Sequence, residues 1–270
     1  MKSRLLVAAV GIPLLLVILF LCPSVVTAIA LSLLSAIGCR ELLKTTGIVS
    51  HEGMLCLSML AAFLIPIWSY LGCPIVPGAI GLVLYLLVLF TMALAAYPNV
   101  HFAGITGCIF GALAIPMALS SVVRILMGDF GKHYVLVPIM IPFIADAGAY
   151  FAGKFLGRHK MAPILSPNKT VEGAIGGLAA GIVSVLLYGL VMELGFGLEF
   201  QYGYGVLYGL LGSIVSIIGD LSFSMVKRET GIKDYGTIFR AHGGVLDRFD
   251  SVIFAAPVIE LLILLLPVLQ

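Results

Sequence analysis

The sequence predicts an all-α fold: a polytopic integral membrane protein of about nine transmembrane helices, with its N-terminus in the cytoplasm. Three observations carry this expectation. Hydrophobic residues make up 61% of the chain and charged residues only 10%, at a mean hydropathy of +1.18. A soluble domain has no use for so large an apolar excess. The apolar residues fall in repeated runs of about 20, the length that crosses a hydrocarbon core as a helix. These Leu, Ile and Val blocks do not alternate with polar residues, as the strands of a membrane β-barrel would.

The spans are expected at roughly 5–22, 24–43, 54–71, 75–97, 103–126, 134–153, 172–193, 203–226 and 249–268. Lys2 and Arg4 before a long apolar run resemble a secretory signal, but apolar character continues through Pro23, so a retained first helix is expected. Pro23, the Gly72-Cys73-Pro74 corner and Pro98-Asn99 interrupt apolar density as short connections between antiparallel helices do. Arg40, Glu41 and Lys44 read as the interfacial end of the second span, and Trp68 and Tyr70 as an aromatic belt on the other side. Gly176, Gly177 and Gly181 offer small faces for close helix packing. Cys22, Cys39, Cys56, Cys73 and Cys108 form no CxxC and lack a histidine at zinc-ligand spacing, so they read as buried free thiols. No repeat, low-complexity tract or soluble domain interrupts the chain. It reads as one continuous membrane domain, with 1–130 as scaffold and 131–270 carrying the site.

The basic residues set the expected orientation. With a cytoplasmic N-terminus, the outer side holds only Arg124 and Lys132, and every other Lys and Arg lies inside. The most charged segments, 154–172 and 227–248, then face the cytoplasm, where they can meet a soluble charged metabolite. A formal net charge of +2, with no basic block interleaved with aromatics, gives no reason to expect a nucleic-acid partner.

Chemistry concentrates in Ser224–Asp250, which holds Lys227, Arg228, Glu229, Lys233, Asp234, Arg240, Asp247, Arg248 and Asp250 between apolar runs. Charge at a membrane boundary is costly and usually functional. Asp220 and Ser224 share a helix face at i and i+4, and Asp247 and Asp250 lie at i and i+3 where the last helix begins. Asp146 stands in the apolar segment IPFIADAGAYFAGKFLG and needs a cationic partner from elsewhere in the fold. Carboxylates without thiolates or clustered imidazoles select a hard cation, most simply Mg²⁺. Set beside Lys and Arg, they suit phosphoryl or nucleotidyl transfer. In GRHKMAPILSPNKTVEGAIGG, Ser166-Pro167 reads as a turn and Thr170 or Asn168 as the cap of a helix starting near Val171. Lys169 and Glu172 flank that helix start, a plausible phosphate cradle. Gly243 and Gly244, beside His242, would let the backbone approach a phosphate. The bland alternative is a surface loop held by salt bridges and anionic headgroups.

The pattern S-x-x-K-R-x4-K-D-x-G…H-G-G-x-x-D-R-x-D, here Ser224 to Asp250, resembles the signature of the phosphatidate cytidylyltransferases, or CDP-diacylglycerol synthases. DAGAYFAGKFLG and SPNKTVEG resemble that family's other recurring elements, so the likeness runs from Asp146 to the C-terminus. The resemblance implies transfer of CMP from CTP to phosphatidic acid in a bacterial inner membrane, with the site facing the cytoplasm. The products would be CDP-diacylglycerol and pyrophosphate, with Mg²⁺ as cofactor. It carries over Asp220 and Asp247 as metal ligands with Asp146 and Asp250 nearby, and Lys227, Arg228, Lys233 and Arg248 as phosphate-binding groups. Lys169 and Glu172 would complete the site, with Ser224, Asp234, His242, Gly243 and Gly244 in the same signature. Arg240 departs from the pattern, which usually has Pro or Gly there. Membrane lipids are the expected surroundings, and a homo-oligomer remains open.

A lipid or polyprenol kinase would use the same metal logic with another nucleotide. The CDP-alcohol phosphatidyltransferases carry a D-G-x2-A-R pattern absent from this chain. An ion-coupled transporter would place its acids near mid-membrane in two related halves. Here they gather toward one side of the second half.

Overall fold

The computed structural model describes residues 11, 13–238 and 243–270. Much of the expected span 5–22 therefore lies outside the described residues, as do Lys2, Arg4, Arg240 and His242. Among the described residues seven helices are long and apolar enough to cross a membrane. They are α1 (Ser24–Thr45), α2 (Glu52–Tyr70), α3 (Ile75–Ala95), α4 (Phe102–Met127), α5 (Gly131–Leu156), α6 (Val171–Phe196) and α7 (Tyr202–Glu229). A further long helix, α8 (Leu246–Leu265), carries Asp247, Arg248 and Asp250 in its opening turns. Short irregular connections at Gly72-Cys73-Pro74 and around Pro98 separate α2, α3 and α4, as the breaks in apolar density require.

One small departure from the all-α expectation joins α5 to α6. Strands β1 (Lys160–Ala162) and β2 (Ser166–Thr170) pair antiparallel, Lys160 opposite Thr170 and Ala162 opposite Ser166. The turn falls at 163–165, so Ser166-Pro167 lies on β2 and does not itself form the turn. A two-stranded ribbon has two edges, where a residue without an N–H is tolerated.

The backbone packs into two compact units. The first comprises the chain up to Met127 together with Glu229–Phe249. Its core gathers Cys39, Leu43, Met54, Leu55, Ala62, Leu89, Cys108 and Ala112, with the Tyr85 hydroxyl 3.2 Å from Ser58 Oγ. The Arg124 guanidinium donates to Ser121 Oγ at 2.9 Å and Ser69 Oγ at 3.3 Å. All five thiols are free, but only Cys39 and Cys108 are buried. Cys56 sits on an exposed helix face, because an apolar protein surface in a membrane need not hide a weakly polar sulfur.

The second unit comprises Gly128–Arg228 and Asp250–Gln270. Its C-terminal end is held by the Leu269 N–H donating to Tyr134 Oη at 2.7 Å, and by Tyr208 Oη donating to the Leu266 carbonyl at 3.0 Å. Helices α5 and α6 meet through small residues. A Cβ built on Gly177 would stand 2.8 Å from the Ala145 carbonyl oxygen and 3.1 Å from Ala149 Cβ. Without a hydrophobic driving force between helices in lipid, such close packing supplies the association. Gly177→Ala is therefore expected to destabilise the protein by about 1–3 kcal/mol, the usual range for overpacking. Gly195→Ala, also on α6 but with nothing within 4 Å of its added Cβ, is the matched control. Thermal unfolding in detergent should separate the two; equal midpoints would remove Gly177 from the packing argument.

Candidate active site

In the second unit the candidate side chains are placed by α6, α7 and the hairpin before them. Helix α6 begins at Val171 because Thr170 caps it, its hydroxyl oxygen accepting from Gly173 N–H at 3.1 Å. That cap fixes the residue before it, Lys169, whose ammonium forms an ion pair with the carboxylate of Asp220 on α7. Ser224, one turn further along α7, donates to the same carboxylate at 3.3 Å. Lys169 and Asp220 are each about a quarter exposed, 24% and 25%, so the pair is reachable without being fully solvated.

Asp250 lies close by because α7 carries Gly219. A Cβ there would stand 2.8 Å from the Asp250 carbonyl, so the two backbones approach closely one residue before Asp220. The Asp250 side chain is 7% exposed and takes its neighbour's Ser251 N–H at 2.7 Å. Asp220, Lys227 and Asp146 all lie within electrostatic reach of it. Three carboxylates and two ammonium groups thus share one end of this unit. Arg228 Nε donates to the Leu165 carbonyl at 3.1 Å, tying the hairpin turn to the end of α7.

Glu172 has another task than facing an open cradle. Its carboxylate accepts the Arg158 N–H at 3.0 Å and the His159 N–H at 3.2 Å, with the His159 ring Nδ1 at 2.5 Å. It orders the turn between α5 and β1.

In the first unit, the loop between α7 and α8 is organised by two carboxylates. Asp247 Oδ2 accepts the Tyr235 N–H at 2.7 Å and the Gly244 N–H at 2.9 Å. Glu41, at the end of α1, accepts the Val245 N–H at 3.0 Å and the Leu246 N–H at 2.8 Å. Gly243 has a φ of +78°, and a Cβ on it would stand 2.7 Å from Asp247 Oδ2. A Cβ on Gly244 would fall on the Glu41 carboxylate. The close approach at the glycine pair is thus to the protein's own carboxylates, where the sequence suggested a phosphate. Tyr235 is fully buried, whereas Lys233, Asp234 and Arg248 are exposed on the loop and the first turn of α8.

Sequence reasoning missed Glu41. It read as an interfacial residue at a helix end beside Arg40 and Lys44. The signal that separates them is chemical: Lys44 finds Glu52 at 2.8 Å at the surface, while Glu41 is buried.

A sequence model of the cytidylyltransferase family matches residues 2–266. The chain belongs to the cytidylyltransferase family. Among curated proteins, this family member is 39% identical over 134 residues to the phosphatidate cytidylyltransferase of Staphylococcus aureus strain COL. It is 37% identical over the same length to that of Staphylococcus saprophyticus and 36% identical to that of Staphylococcus haemolyticus. Each alignment covers 50% of this chain and 50% of the relative, so the match spans about half the length of these proteins.

Proposed function

We propose that this cytidylyltransferase family member transfers CMP from CTP to phosphatidic acid, giving CDP-diacylglycerol and pyrophosphate, at the cytoplasmic face of a bacterial inner membrane. The observation that carries the reading is the grouping of Asp146, Asp220 and Asp250 with Lys169 and Lys227 at one end of a membrane-embedded unit. A lipid phosphate and a nucleotide are the reactants that need both signs of charge beside hydrocarbon. The names of the staphylococcal relatives favour the same pair of substrates.

The donor set fits Mg²⁺. The acids present only hard oxygens, with no thiolate among them. Among the described residues no group of three or more His, Cys, Asp or Glu stands ready as a metal cage. Mg²⁺ does not require one, since it keeps several waters and takes one or two carboxylates plus substrate phosphates. Asp220, with Asp146, would hold it, and Asp247 enters the assignment from the signature alone. When bound it would neutralise charge at the α-phosphorus of CTP. Lys169, Lys227 and Arg228 would bind phosphate oxygens and hold the lipid phosphate in line with the leaving pyrophosphate. The lipid phosphate monoester is already largely ionised near neutral pH, so the chain need not supply a strong base.

The test is pyrophosphate release by purified protein in detergent with phosphatidic acid, comparing CTP with ATP and Mg²⁺ with EDTA. Release requiring lipid, CTP and Mg²⁺ together is the expected result. Pyrophosphate release with ATP in place of CTP would favour a nucleotidyltransferase of other specificity, and lipid-dependent ADP formation without pyrophosphate would favour a lipid kinase; either result would overturn the proposal.

A further inference from the structure

The first unit buries one carboxylate that the reaction above does not use. Glu41 is 3% exposed and lies in the π-helical turn Glu41–Thr45 that ends α1. A buried carboxylate is costly unless its oxygens are hydrogen-bonded. Both are, by the N–H groups of Val245 and Leu246, more than 200 residues away. Val245 immediately precedes α8 and Leu246 is its first residue; the first N–H groups of a helix lack intrahelical partners, and its dipole favours an anion there. The Val245 side chain has no acceptor, and the anchor at this helix start comes from α1, through the N–H groups of Val245 and Leu246.

The rest of the contact is shaped for it. Gly236 and Gly244 leave room for the carboxylate, since a Cβ on either would collide with it. Three residues before Glu41, on the same face of α1, Gly38 lies against Leu246, whose side chain is buried. Asp247 takes the Gly244 amide and Glu41 takes the next two, so two carboxylates divide three successive N–H groups. Loosening one frees the other to shift.

We propose that Glu41 is a positioning residue that sets the start of α8 and, through it, holds the Asp247 carboxylate in place for the reaction. The kinetic consequence rests on the function proposed above; the structural consequence does not. Glutamine in its place would offer one acceptor oxygen where the carboxylate has two, and would turn an NH₂ donor toward a backbone N–H. Glu41→Gln therefore removes one of the two acceptors with almost no change of volume.

The experiment follows amide hydrogen exchange by mass spectrometry in the full chain in detergent, together with CTP- and lipid-dependent pyrophosphate release. In Glu41→Gln, exchange in peptides covering 243–250 should accelerate while α5–α7 stay protected. Turnover should fall by about a hundredfold, the cost of a misplacement near 1 Å, with KM for CTP little changed. Glu41→Asp keeps the charge on a shorter arm and should show the same local pattern more weakly. It also serves as the test variant if Glu41→Gln does not fold. Unchanged exchange at 243–250 would overturn the proposal, and so would acceleration spread evenly over all helices, which marks a general stabilising role. Local acceleration in a protein whose wild type releases no pyrophosphate would uphold the positioning role and refute the assigned reaction.

Discussion

Asp220→Asn should lower CTP-dependent pyrophosphate release by roughly a thousandfold, the upper range for losing one preorganised electrostatic group. The folded protein should persist in detergent. Asparagine keeps the shape of Asp220 and can still accept from Ser224, so α7 has no reason to unwind. What disappears is the charge that faces Lys169 and that stands within reach of Asp250. A partly exposed ion pair contributes only about 0–1 kcal/mol to stability, so a large loss of turnover would have to come from chemistry. The double variant Lys169→Met/Asp220→Asn sharpens the point. If the pair only braced the hairpin against α7, removing both charges should restore whatever stability the single change cost and should restore activity with it. If the pair serves the reaction, stability returns and activity does not. Near-normal turnover in Asp220→Asn would remove this residue from the metal and phosphate assignments together.

Much of this was legible before any coordinates, because the strongest signals are local. Apolar runs of membrane length give helices wherever they occur, and seven such helices stand where they were expected. A helix cap at Thr170 or Asn168, and small packing faces at Gly176, Gly177 and Gly181, follow from residue type and spacing; the structure uses Thr170 and brings Gly177 against α5. The small hairpin was not legible. Its three- and five-residue strands are too short for a periodic signal, and Ser166-Pro167 looks like a turn whether or not it forms one. Nor was the place of the first half. Residues 229–238 and 243–249 group with the N-terminal helices in one compact unit. Periodicity cannot report which distant helix end a loop returns to, so Glu41 looked like its neighbours Arg40 and Lys44. The signature's most charged loop is therefore shaped by a part of the chain that carries almost none of the recognisable motif.

Asp247 has one task in the loop and a proposed one in the reaction, and substitution can pull them apart. Its Oδ2 accepts from Tyr235 and Gly244, which orders the loop, and its charge is the quantity a cation or a developing phosphate would feel. An asparagine side-chain oxygen has two lone pairs and can still accept both N–H groups, so Asp247→Asn preserves the loop and deletes only the charge. Asp247→Ala deletes both and leaves two amides without an acceptor, each costing about 1–3 kcal/mol where water cannot reach. The expected result is that both variants lose about a hundredfold or more in turnover, while only the alanine variant shows a lowered unfolding midpoint. Pyrophosphate release and thermal unfolding, measured on the same preparations, check it. If Asp247→Asn turns over normally and Asp247→Ala fails in both assays, the carboxylate is a loop-ordering group and the charge needed for reaction lies with Asp220 and its neighbours. If both variants fail in turnover while the asparagine form melts like the wild type, the charge itself is used, and α8 is a helix whose first turn is held from outside so that one carboxylate stays in place.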